Sequence, residues 1–149
     1  MSGRVRGVAM TSGVVMLLLT SCSSTSPQQS ISQAVTRWST ALADGDSATF
    51  CGAMTADANA DFQGSLDLTD CPAAVAKLSG VITPEDKEGL RSIQVNADSV
   101  QVHDSQAVVS GDAISYAKPV DAQLQIVGDL AMSLQNKTWL LDIRVHRGS

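Results

Sequence analysis

Histidine and paired metal-type cysteines are nearly missing from this sequence. It has two histidines, His103 and His146, and no CxxC pair. That leaves little material for a Ser–His–Asp arrangement and none for a zinc cluster with the usual ligand spacing. No metal and no cofactor are expected. A basic surplus is also missing: 10 Lys and Arg stand against 15 Asp and Glu, a net charge of −5. An acidic chain without a basic patch is a poor candidate for nucleic acid or for electrostatic docking on anionic lipid. No apolar run reaches the roughly 20 residues that a membrane span needs. Cysteine is sparse and odd in number, at positions 22, 51 and 71.

What is present begins at the amino terminus. Arg4 and Arg6 form a positive start with no acidic residue beside them. Gly7 to Leu19 is a short apolar segment, densest from Val14 to Leu19, and Thr20 and Ser21 are small. That order is an export signal. Leu19-Thr20-Ser21-Cys22 resembles the lipobox of bacterial lipoproteins. The resemblance implies that the Cys22 thiol receives diacylglycerol and that residues 1–21 are removed. It also implies that the new amino terminus can take a further acyl chain such as palmitate. The protein is then expected on the extracytoplasmic face of the cell membrane, anchored through acylated Cys22. Loss of Arg4 and Arg6 leaves eight basic against fifteen acidic residues, a net charge of −7.

Lipidation of Cys22 also resolves the odd cysteine count. Cys51 and Cys71 remain, and outside the membrane they can oxidise to a disulfide. The alternative is two free buried thiols.

The mature chain divides into a polar tether, residues 22–30, and one domain, residues 31–149. Its first half reads helical. Ile31, Ala34, Val35, Trp38, Ala41 and Leu42 form one apolar stripe, with Ser30 as N-cap and Asp44-Gly45-Asp46 as the stop. Short helices follow over Ser47 to Met54, Ala56 to Phe62 and Cys71 to about Leu78. Thr83-Pro84-Glu85-Asp86 starts one more, of a single turn. From Leu90 the period becomes two. The first strand carries Ile93, Val95, Val100 and Val102 and turns at His103-Asp104-Ser105, and a second is expected from Ala107 to Tyr116 with a bulge at Gly111. A long strand is expected from Leu124 to Leu134 with a bend at Gly128. A turn at Gln135-Asn136-Lys137 precedes a last strand that carries Trp139, Leu141, Ile143 and Val145. Helices first and an antiparallel meander second make the fold class α+β. Trp38, Trp139, Phe50 and Phe62 are expected in the core.

Three stretches carry a further resemblance. Ala41-Leu42-Ala43-Asp44-Gly45-Asp46 resembles the turn after the first helix of NTF2-like domains. Cys51 and Cys71-Pro72 sit where actinobacterial NTF2-like lipoproteins carry cysteines, and Thr138-Trp139-Leu140-Leu141-Asp142-Ile143 is similar to the last strand of that superfamily. The resemblance spans Ile31 to Val145. It implies a cone: N-terminal helices packed on a curved antiparallel sheet of about four strands. Members of that superfamily include enzymes and noncatalytic envelope proteins, so the fold alone does not give the activity.

The functional expectation is a noncatalytic, lipid-anchored envelope domain that binds a small apolar ligand or a protein partner. Homodimerisation by sheet pairing is open. The alternative is a hydratase or isomerase of the NTF2-like type on a small hydrophobic substrate. Its candidate catalytic residues are His103 as base, Asp112 as proton acceptor and Tyr116 as donor to an oxyanion.

Overall fold

A computed structural model describes residues 24–142. Five helices come first: α1 (Pro27–Asp44), α2 (Ser47–Gly52), α3 (Ala56–Ser65), α4 (Cys71–Val81) and α5 (Pro84–Arg91). Six strands follow: β1 (Ile93–Val95), β2 (Val100–His103), β3 (Gln106–Val109), β4 (Ile114–Tyr116), β5 (Leu130–Gln135) and β6 (Thr138–Leu141). The architecture is α+β, as expected. An antiparallel sheet in the order β2-β3-β5-β6 meets the helices, and β1 and β4 form a separate antiparallel pair. Among the described residues no helix is long and apolar enough to cross a membrane.

α1 begins earlier than the apolar stripe suggests. Ser26, not Ser30, is the N-cap, and its Oγ accepts from the Gln29 N–H at 3.2 Å. Pro27 takes the first helical position, where its missing N–H costs nothing. Residues 27–30 are therefore helix rather than tether. The stripe concealed this because Gln28, Gln29 and Ser30 bring no apolar residue. The helix stops at Gly45, whose φ of +69° suits glycine, with Asp46 N–H bonded to the Ala41 carbonyl. Asp46 then caps α2.

The core lies between α1 and the sheet. Ile31, Val35, Phe50, Val75, Val109, Met132 and Leu141 are fully buried. Trp38 stacks on Phe50 with ring centroids 5.0 Å apart, and Phe50 meets Phe62 at 5.1 Å. Trp139 is buried from the sheet side. Ser39 is buried on α1 and donates to the Leu90 carbonyl at 2.9 Å, which ties α1 to α5 without leaving a polar group unpaired.

α5 is eight residues long, not a single turn. Thr83 and Asp86 cap it reciprocally, since the Thr83 Oγ1 accepts from the Asp86 N–H and donates to its carboxylate. Gly89 allows its close seat. A Cβ there would lie 2.3 Å from both the Pro119 carbonyl oxygen and Val120 Cγ2. Gly89→Ala should therefore destabilise the domain by about 1–3 kcal/mol, despite alanine's better helix propensity. A drop in urea midpoint at unchanged slope is the expected reading; a neutral or raised midpoint would show that the 119–120 segment yields.

Three strands expected from the sequence are broken. The first divides at a 3₁₀ turn over Ala97–Ser99 into β1 and β2, which belong to different sheets. Ala107 to Tyr116 is not one bulged strand. β3 ends at Val109, a 3₁₀ turn spans Gly111–Ala113, and β4 pairs with β1 instead. The break sits where Gly111 crosses Gly128: a Cβ on Gly111 would lie 2.9 Å from the Gly128 carbonyl oxygen. Leu124 to Leu134 is likewise not one strand. Residues 121–129 form a loop, opened by an Asx turn in which Asp121 Oδ1 accepts from the Gln123 N–H, and only Leu130–Gln135 pairs. Leu124 and Ile126 alternate because they pack on the core from that loop. The β5–β6 turn does lie at Asn136-Lys137, both with positive φ. Beyond β6, Ile143 and Val145 lie outside the described residues, as does His146.

Three surface carboxylates hold connections between elements. Asp46 accepts from Thr49, Asp86 accepts from Thr83 and from the Asp121 N–H, and Glu88 accepts from Lys118 and Arg91. The carboxyls of Asp46 and Asp86 are held below the usual range chiefly by the threonine hydroxyls, and that of Glu88 by Lys118. A carboxylate with a depressed folded pKa stabilises the fold above its unfolded value and loses that stabilisation as pH falls. The melting temperature should hold near neutrality and decline as pH drops below about 4, the unfolded carboxylate range. Asp86→Asn and Glu88→Gln should flatten that decline; an unaltered acid limb in both would show that other groups set it.

Candidate functional site

Cys22 and the signal segment lie outside the described residues. The other cysteine expectation is met directly. Cys51 and Cys71 form a disulfide, with their Cα atoms 6.1 Å apart. Cys51 lies in α2 and Cys71 opens α4 behind its N-cap, Asp70. The bridge thus ties the helical layer to itself.

The three candidate catalytic residues are not brought to one place. His103 ends β2 at the β2–β3 hairpin and is exposed, opposite Gln106. Asp112 is exposed in the 3₁₀ turn. Tyr116 ends β4 and is half-buried. Asp112 and Tyr116 do line one groove, of about 510 Å³, between β4 and the 125–129 segment, but His103 is not among its residues. In that groove the Tyr116 hydroxyl oxygen accepts from the Ile126 N–H at 3.1 Å, and burial raises its pKa, so it stays protonated at neutral pH. Asp129 accepts from the Gly111 N–H at 3.0 Å. The tyrosine thus pins the 121–129 loop where a strand was expected.

The described grooves open to solvent. Buried side chains of α1, α2, α4 and the strands form the core, and a groove of about 290 Å³ between α1, α2 and β6 is lined by Ala34, Arg37, Gly52 and Trp139 among others.

The outward face of the four-stranded sheet differs from an ordinary solvated surface. Register places Gln101, Val108 and Ala131 in one row, and His103, Gln106, Ser133 and Leu140 in the next. Gln135 and Thr138 complete the face. Asp142 extends the first row at the β6 edge, its N–H bonded to the Ala131 carbonyl and its carboxylate accepting from the Thr55 hydroxyl, and none of the other residues of the face is Asp, Glu, Lys or Arg, although the chain carries 25 such residues. Val108 is 39% exposed in the middle of the sheet. One edge of this sheet is already used: the Leu141 N–H bonds the Ala53 carbonyl, and the Thr55 N–H bonds the Leu141 carbonyl. Period-two alternation alone does not single out the polar residues of these strands. The signal that marks them is the scarcity of charge, which shows only after register has put the strands side by side.

No family model, no curated protein and no solved structure matches this chain.

Proposed function

We propose that this chain is a noncatalytic envelope lipoprotein with an NTF2-like domain. Acylated Cys22 holds it on the extracytoplasmic face of the cell membrane, and the sparsely charged sheet face receives a protein partner. The face carries the reading. A domain of net charge −7 that exposes Gln, His, Ser, Thr, Ala, Val and Leu there, with Asp142 alone at the edge and bonded to Thr55, can dock while stripping water from few charges. The described grooves are all open to solvent, which favours a protein partner over a small apolar ligand that needs an enclosed apolar cavity. The separation of His103 from the groove of Asp112 and Tyr116 favours binding over hydratase or isomerase chemistry.

A photo-crosslinking residue at position 108 of the acylated protein, activated in intact envelopes, tests this. A discrete adduct, absent when the same group is placed at the acidic helix position Lys87 and lost on Ala131→Arg, is the expected result. An adduct of twice the chain mass would identify a second copy as the partner. No adduct at position 108, together with a discrete small-molecule mass retained by the purified native protein, would replace protein binding by ligand carriage.

A further inference from the structure

The first turn of α1 and the β5–β6 turn enclose a groove of about 330 Å³ lined by Thr25, Pro27, Ser30, Arg37, Lys137 and Thr138, among others. No carboxylate lines it. Arg37 and Lys137 are both exposed, and neither forms an ion pair with a described carboxylate. The other described cations are differently placed. Arg91 and Lys118 are paired with Asp44 and Glu88, and the Lys77 Nζ donates to the Leu66 carbonyl. Lys87 is flanked by Glu85, Asp86 and Glu88. The groove is thus a local cationic surface on an acidic domain. The amino-terminal end of α1 has no acidic residue in its first turn, so its partial positive charge adds to the same surface.

Position along the chain says what meets this surface. Thr25 is three residues after Cys22, and three residues span at most roughly 11 Å. That is close to one Debye length at physiological ionic strength, about 8 Å. A domain of net charge −7 held this near an anionic leaflet is repelled by it, except where a cationic face turns toward the lipid.

We propose that this groove is the membrane-facing side of the domain. Arg37 and Lys137 hold the phosphates of anionic phospholipid headgroups in the bilayer that anchors Cys22, with the hydroxyls of Thr25, Ser30 and Thr138 as further donors. The inference rests on the lipid anchor proposed above. It assigns that anchor a docking surface and fixes which side of the domain lies down. Arginine and lysine suit the task because one forks onto phosphate oxygens and the other acts as a point charge.

Hydrogen exchange of the acylated protein tests it, in vesicles of phosphatidylcholine alone and of phosphatidylcholine with phosphatidylglycerol. Amides of segments 25–30 and 135–138 should exchange about tenfold more slowly on the anionic vesicles only. Ionic strength of about 1 M, where the Debye length is about 3 Å, should remove the difference without any substitution. Arg37→Gln with Lys137→Gln should remove it too, with the rest of the exchange map unchanged. Equal protection on both vesicles, or none on either while the protein stays bound, would overturn the proposal and leave the anchor standing. A chain whose intact mass shows no lipid on Cys22 would overturn the anchor, and this inference with it.

Discussion

Replacing Cys51 and Cys71 together by serine should lower the stability of the mature domain by about 3 kcal/mol, within a range of roughly 2–4. The two residues are 20 apart in sequence, so the bridge closes a loop of moderate length in the unfolded chain. The chain-entropy model assigns a loop of that size about 3 kcal/mol at room temperature. Ala53 to Thr55 are held to β6 by backbone bonds with Leu141, but beyond Thr55 the segment inside the loop has little else to hold it. α3 buries only Ala58 completely, and the stretch from Leu66 to Asp70 has no regular structure. What remains is Phe62 against Phe50, the Asn59 side-chain amide donating to the Cys51 carbonyl at 2.8 Å, and the Lys77 bond to Leu66. The loss should therefore appear as a lower denaturant midpoint, and as faster hydrogen exchange from Ala53 to Asp70 while α1 and β5 stay protected. Labelling of both thiols in the native exported protein would refute the bridge in the cell. A double variant as stable as the parent would show that packing of Phe50 and Val75 alone fixes α2 against α4.

How much of this was legible in the sequence depends on where the decisive contact lies. The helix caps were legible where side chain and backbone are local. Asp44-Gly45-Asp46 and Asp70-Cys71-Pro72 mark their boundaries because a glycine at positive φ, an acidic cap and a first-turn proline act within a few residues. The hairpin turns at Asp104 and Asn136-Lys137 were legible for the same reason. Strand continuity was not. Ala107 to Tyr116 alternates well enough to pass for one strand, and only the crossing of Gly111 under Gly128, 17 residues later in the chain, breaks it. Ile126 alternates with Leu124, yet the bond that orders it comes from the Tyr116 hydroxyl and not from a neighbouring strand. Period two reports a half-buried extended segment; it does not report whether that segment is paired. The candidate site divides the same way. The pairing of Cys51 with Cys71 follows from counting, while the sparsely charged sheet face and the Arg37–Lys137 groove need residues about 30 to 100 positions apart to be brought together by the fold.

Cys22→Ser should move the protein from the membrane to the soluble envelope fraction, a redistribution larger than any other substitution here would cause. Each buried CH₂ contributes about 0.8 kcal/mol, and a single acyl chain still gives only marginal binding, with a constant on the order of 10⁴ M⁻¹. A second chain makes the attachment firm. Against this, each surface cation contributes about 1 kcal/mol on an anionic leaflet, so Arg37 and Lys137 supply roughly 2 kcal/mol between them. That suffices to turn a tethered domain, whose local concentration at the surface is already high, but not to hold a free one of net charge −7. The two substitutions should therefore separate cleanly. Cys22→Ser should abolish partitioning into a detergent phase whatever stands at 37 and 137, and removal of the two cations should leave partitioning intact while freeing the orientation of the domain. Detergent partitioning of Cys22→Ser equal to that of the parent would end the lipid reading. Full release by loss of Arg37 and Lys137 alone would make the attachment electrostatic and leave Cys22 without a role in it.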